Sequence, residues 1–121
     1  MPTIMVVDDE ESLRELIIAL FEQEGYKVIA VASGHECLET LKHESPDLIL
    51  MDMMMPGMSG REATEKIRQD PKTKDLKIVF LTVAKFAETG IKTLSQLHVL
   101  DYIAKPFDNH LLIQKVKKIL Q

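Results

Sequence analysis

Four apolar runs in this chain stop on residues that could do chemistry. "TIMVV" ends at Asp8 and Asp9, "LILM" at Asp52, "IVFL" at Thr82, and "DYIA" at Lys105. Brought to one place, they would gather three carboxylates, one hydroxyl and one ammonium. Acids so close repel one another, and one would hold a proton unless a cation were present. All-oxygen ligands with room for water suit Mg²⁺, which binds a few carboxylates and completes its shell with water and phosphate. A carboxylate beside such an ion can attack a phosphoryl group and become an acyl phosphate. Lysine and metal would neutralise the charge spread over the transferring oxygens, and Thr82 could donate a hydrogen bond to one of them. On this chemistry Asp52 is the phosphate acceptor.

The elements that must position these residues follow from the hydrophobic pattern. "TIMVV" is a short buried strand. Leu13, Leu16, Ile17 and Leu20 recur at helical spacing, placing Ile18 opposite and Phe21 at the margin, and Gly25 marks the stop. "KVIAVAS" is a second strand. Ser33 and Glu36 have the spacing of a capping box, with Leu38 and Leu41 as the apolar stripe behind them. "PDLILMD" is the third strand, and Ser59 with Glu62 repeats the capping-box spacing before Ala63 and Ile67. Gly57 and Gly60 read as turn glycines ahead of that helix, and Pro71 breaks it. "KIVFLT" is strand four, a helix through Ile91, Leu94 and Leu97 follows, and "DYIA" is strand five. Asp108 is placed as an N-cap, with Phe107 and Leu112 as a hydrophobic staple ahead of Val116 and Ile119.

Five strands alternating with five helices, with no linker between them, predict an α/β fold in one domain spanning residues 1–121. Strands apolar at both parities predict a parallel sheet covered on both faces. Right-handed crossovers leave few topologies, and the doubly wound, flavodoxin-like (βα)₅ order 2-1-3-4-5 is the expected one. Strands one and three are then neighbours at the topological switch point, where sites form outside the carboxyl ends of the strands.

With those positions joined, "VVDDE", "LILMDMMMPGMSG", "VFLT" and "DYIAKPF" closely resemble the response-regulator receiver domain of two-component signalling. The resemblance runs from Thr3 to Leu120, with the motifs in the family's order. It implies a (βα)₅ phosphoacceptor that takes a phosphoryl group from a sensor histidine kinase or phosphotransfer protein. By position, Asp52 would be the phosphorylation site. Asp8, Asp9 and Asp52, with the backbone carbonyl of Met54, would hold Mg²⁺. Thr82 and Lys105 would bind the phosphate, Thr82 and Tyr102 would be the switch pair, and Lys105-Pro106 would be a cis peptide. The resemblance implies signalling to an output partner through the surface of the fourth helix, fifth strand and fifth helix, and admits a dimer through that surface. Such a domain catalyses its own phosphorylation and dephosphorylation and is not a substrate-turnover enzyme.

This chain departs from the family pattern in three places. The stretch from Thr82 to Lys105 is a residue longer than is common. Val83 stands where a small residue is usual after the switch hydroxyl. "HVLD" (His98 to Asp101) replaces the usual Gly-Ala-Asp-Asp before the tyrosine.

Other readings of the same residues stay open at this level. Asp8 and Asp9 could be a polar strand terminus that caps a helix, and Asp52 could cap the next one. A phosphatase of the haloacid-dehalogenase type also uses an aspartate nucleophile, but it needs a second acid two residues later, where this chain has Met54. A flavodoxin-like carrier would need a hydroxyl- or glycine-rich phosphate loop where Asp8 to Glu11 stand. Five of the seven methionines fall between Leu48 and Met58. Thioethers with neither thiolate nor nearby histidine make a thin Cu(I) set, so Met51, Met55 and Met58 are expected to pack. His35, His43, His98 and His110 share no metal-ligand spacing.

Composition narrows the classes further. The chain has 121 residues, is 45% hydrophobic and 28% charged, and carries a formal charge of −4. That size supports one core, and the acidic balance argues against direct nucleic-acid binding. Lys115, Lys117 and Lys118 are expected to form a solvated face. The apolar runs are too short for a membrane span, and the single Cys37 fits a reducing, cytoplasmic setting. With no effector segment after Gln121, the chain is expected to be either a stand-alone receiver or a piece of a longer protein.

Overall fold

The computed structural model describes residues 2–83 and 95–121. Five strands form one parallel sheet: β1 (Thr3–Val7), β2 (Lys27–Val31), β3 (Leu48–Asp52), β4 (Ile78–Val83) and β5 (Asp101–Lys105). Their order is β2-β1-β3-β4-β5, as predicted. Three helices, α1 (Glu11–Gln23), α2 (Gly34–Thr40) and α3 (Gly60–Gln69), follow the first three strands, and a C-terminal helix spans Asn109–Ile119. Of the helix predicted through Ile91, Leu94 and Leu97, the first two residues lie outside the described segments; Ser95 to Leu97 are helical.

The two parities of each strand feed two separate cores. Ile4 and Val6 of β1, with Leu48 and Leu50 of β3, pack under α1 and the C-terminal helix through Ile17, Phe21, Leu112 and Val116. Met5, Val7, Ile49 and Met51 face the other way, onto Cys37 of α2 and Ala63 and Ile67 of α3. Burial on both sides is why these strands read as unbroken apolar runs rather than alternating ones. Because the strands all run the same way, the polar residues at the ends of β1, β3, β4 and β5 lie at one edge.

Two local expectations need correction. On α1 the buried pair is Ile17 and Phe21, both at 0% exposure, while Leu16 is 37% exposed. Positions four apart lie nearly one above the other on a helix, so Leu13, Ile17 and Phe21 line up and Leu16 is carried off the stripe. Phe21 also meets Tyr26 edge-on at 5.8 Å between ring centroids, which anchors the end of the helix. Gly60 is the second. Its role is close packing rather than a turn, since a Cβ there would sit 2.0 Å from the Asp52 carbonyl oxygen and 2.8 Å from the Met53 Cα. Because both obstacles are backbone, Gly60→Ala should destabilise the protein by about 3 kcal/mol or more, measured by denaturant unfolding. A loss below about 1 kcal/mol would show that α3 can step away from β3 at little cost. Gly57, with φ of 76°, is a true turn glycine.

The helix starts follow their sequence signals with one difference. Ser59 and Glu62 form the complete reciprocal box. At α2 the Ser33 hydroxyl accepts from the Glu36 N–H, but the Glu36 carboxylate reaches the N–H of Ala32 instead of Ser33. Asp108 caps the C-terminal helix, accepting from the N–H groups of His110 and Leu111. Phe107 and Leu112 pack in one cluster. No described helix is long and apolar enough to cross a membrane.

Candidate functional site

At the carboxyl edge of the sheet, β1 delivers Asp8, β3 delivers Asp52, β4 delivers Thr82 and β5 delivers Lys105. Asp8 and Thr82 have no exposed surface and Asp52 only 3%, whereas Asp9 is exposed. One carboxylate oxygen from each of Asp8, Asp9 and Asp52 lies within 4.8 Å of the others. The Lys105 ammonium bridges the two buried acids, 2.8 Å from Asp8 Oδ2 and 3.4 Å from Asp52 Oδ1. Register sets the heights: Asp52 pairs with Leu81 and Leu81 with Ile103, so Lys105, paired with Val83, stands two residues beyond the acids and its long side chain spans the difference.

Neither buried acid caps a helix. Asp8 Oδ1 accepts from the Glu10 N–H at 2.8 Å, a local turn contact, while the N-cap of α1 is Glu10 with no side-chain cap bond. Asp52 Oδ1 accepts from the Met54 N–H at 3.1 Å, and α3 has its own cap in Ser59. A carboxylate buried without a capping duty is costly unless paired. Burial, reinforced by the neighbouring Asp8 carboxylate, raises the Asp52 pKa to about 6; the Met54 N–H and Lys105 oppose the rise without cancelling it. For Lys105, burial disfavours the charge, but Asp8 and Asp52 outweigh it and its pKa is raised.

The remaining sequence candidates sit around this group. Thr82 donates its hydroxyl to the carbonyl of Val83 at 3.3 Å, so the group is held at the strand end beside the acids' strand. Tyr102 is half-buried on β5 against the core on the α2–α3 face. The Lys105-Pro106 peptide is cis. Met54, two residues after the acid, is 56% exposed, whereas Met51 is core on β3 and Met53, Met55 and Met58 are buried and pack the loop onto the sheet. Hydrogen bonding also involves a residue the sequence argument passed over. Arg14, one turn along α1, donates to the Asp8 carbonyl at 2.8 Å and fixes the backbone that carries the acid pair. Its signal in the sequence was a lone cation in an otherwise acidic first stretch of helix.

An all-oxygen set, closed on one side by Lys105 and open at exposed Asp9, fits a hard cation that keeps several waters. Against known families, residues 4–117 match the model of the response regulator receiver domain. The chain belongs to that family. A curated relative of this receiver domain is the phosphate regulon transcriptional regulatory protein PhoB of Pseudomonas aeruginosa. It is 34% identical over 98% of this chain and 52% of its own length. The receiver domain thus spans about half the length of the PhoB relatives it matches. Among solved structures, a putative response regulator from Chloroflexus aurantiacus superposes with a TM-score of 0.90 at 34% identity. That match covers 99% of this chain and 98% of that one. The receiver domain of a sensor histidine kinase from P. aeruginosa, with a magnesium ion coordinated in its active-site cleft, gives 0.85 at 28% identity. Coverage there is 99% and 98%.

Proposed function

We propose that residues 1–121 form a single phosphoacceptor domain. A sensor histidine kinase or phosphotransfer protein donates a phosphoryl group to Asp52, in the cytoplasm. The observation that carries this reading is the buried, non-capping Asp52 carboxylate held beside a second acid and a lysine. Asp52 attacks phosphorus with one carboxylate oxygen, the phosphorus–nitrogen bond to the donor imidazole breaks, and the donor leaves with a proton. Lys105, released from Asp8 as charge builds on the phosphoryl oxygens, pairs with them, and the Thr82 hydroxyl turns from the Val83 carbonyl to donate to another. Asp8, Asp9 and Asp52, with the Met54 carbonyl, would hold Mg²⁺, which supplies neutralisation of the transferring phosphoryl oxygens.

The new bonds to Thr82 and Lys105 exist only in the phosphorylated state, so they can bias a two-state surface. Tyr102 turns inward as Thr82 moves, and the face of β5 and its neighbouring helices changes toward an output partner or a second copy. The domain itself contacts neither nucleic acid nor membrane in this scheme.

The test is incubation with a small-molecule phosphodonor and Mg²⁺, read by intact mass. Wild type should gain one phosphoryl group and Asp52→Asn none. An equal gain in both would remove Asp52 as acceptor. Metal binding gives a separate check. In a Mg²⁺ titration without phosphodonor, affinity should be weak in wild type and unmeasurable in Asp9→Ala and in Asp52→Asn. Unaltered affinity in either variant would take that carboxylate out of the ligand set.

A further inference from the structure

Arg68 stands at the C-terminal end of α3, and its guanidinium is spent on backbone carbonyls. Nε donates to Leu97 at 2.7 Å, Nη1 to both Lys74 and Leu76 at 2.8 Å, and Nη2 to His98 at 3.2 Å. These acceptors belong to two different connections, one entering β4 and one entering β5. A planar fork with five N–H donors can hold both, which a lysine cannot.

The second connection is itself unusual. After the helical residues 95–97, His98 takes φ of 54°, a left-handed backbone that residues with a Cβ rarely adopt. Leu100 then returns to the sheet, donating to the Ile78 carbonyl at 2.9 Å, and Tyr102 follows on β5. The opposite end of α3 is locked to the strand bearing Asp52. The Gly60 N–H donates to the Met53 carbonyl at 3.1 Å, and Gly60 packs directly against the Asp52 carbonyl; within the helix, the buried Thr64 hydroxyl donates to the Gly60 carbonyl at 2.8 Å. One ten-residue helix therefore runs from the backbone of Asp52 to the turn that starts β5.

We propose that Arg68 is a positioning residue for the output, holding the Leu97–Leu100 turn to the far end of α3. Movement of the Asp52–Gly60 segment on phosphorylation then reaches Tyr102 through α3, in addition to the direct link through Thr82. The bonds to Arg68 offset the strained backbone at His98, so a shift of α3 that lengthens them lets the turn relax. This inference rests on Asp52 being the phosphoacceptor.

The experiment uses beryllofluoride with Mg²⁺ as the phosphoryl mimic and records backbone amide NMR shifts of the whole chain. Wild type should respond both at Asp52–Met54 and at Leu100–Tyr102. Arg68→Met should keep the first response at wild-type size and lose at least half of the second. Should Arg68→Met fail to fold, Arg68→Lys, which keeps charge and stem but loses the fork, makes the same comparison and should show the same selective loss. A full response at Leu100–Tyr102 in a folded variant, or an equal loss at both places, overturns the coupling and leaves the Asp52 reading intact. Absence of any response in wild type removes the phosphoacceptor reading and this inference with it.

Discussion

Phosphorylated Asp52 should decay over minutes or longer when no separate phosphatase is present, and Met54→Asn should shorten that lifetime about tenfold or more. Loss of the phosphoryl group requires water to attack phosphorus in line, opposite the Asp52 oxygen. A polar side chain two residues after the aspartate can hold that water. Met54 occupies the position, is 56% exposed beside the acid, and offers neither a base nor a hydrogen-bond donor. Its backbone N–H is tied to Asp52 Oδ1 at 3.1 Å, so its place next to the reacting atoms is fixed even though its side chain contributes nothing polar. Val83 ends β4 directly after Thr82 and is only partly exposed, adding bulk on the approach that a smaller residue would leave open. Val83→Ala should therefore also accelerate decay, by less than Met54→Asn. The measurement is the first-order loss of phosphoprotein after removal of the phosphodonor. Wild-type loss within seconds, or no acceleration in either variant, would assign the water's placement to other groups.

Replacing Asp52 by asparagine should stabilise the metal-free protein at neutral pH, by on the order of 2–3 kcal/mol. The folded-state pKa of Asp52 is raised to about 6, first by burial and then by the Asp8 carboxylate. An unfolded aspartate titrates near 4. Between those values the folded state binds the extra proton, so stability is highest below about pH 4 and falls as pH rises through 6. Above that the penalty is complete. Asparagine keeps the shape and can still accept from the Met54 N–H, but it carries no charge to desolvate. Denaturant unfolding in a chelator, from pH 4 to 8, should show the variant's advantage emerging across this window and vanishing at its acid end. An advantage that does not change with pH would mean the gain comes from packing; a loss of stability would mean that the Lys105 pairing outweighs the cost of burial. Site residues kept at the expense of the fold are what a binding or reaction centre requires.

Much of this was already legible in the chain. The alternation of apolar runs with helical stripes determined the parallel sheet and its order, because strands buried on both faces admit little else once crossovers are right-handed. That order in turn determined that Asp8, Asp52, Thr82 and Lys105 would share an edge, since each ends a strand pointing the same way. Cap signals survived where they are local, as at Ser59 and Asp108. Other features depended on distances between segments remote in the chain, which no pattern within one segment encodes. The spacing on α1 put Leu16 in the buried stripe and Phe21 at its margin, and the sheet beneath chose Phe21 instead. Gly60 read as a turn residue because its obstacle, the Asp52 carbonyl, lies eight positions earlier and meets it only after β3 and α3 pack. Arg68 had no visible partner, since backbone carbonyls acquire an address only through the fold. The pairing of Lys105 with Asp8 spans 97 positions. Only the tertiary structure decided that the acid and the base which define this site would touch, because it alone fixes the register between β1, β3, β4 and β5.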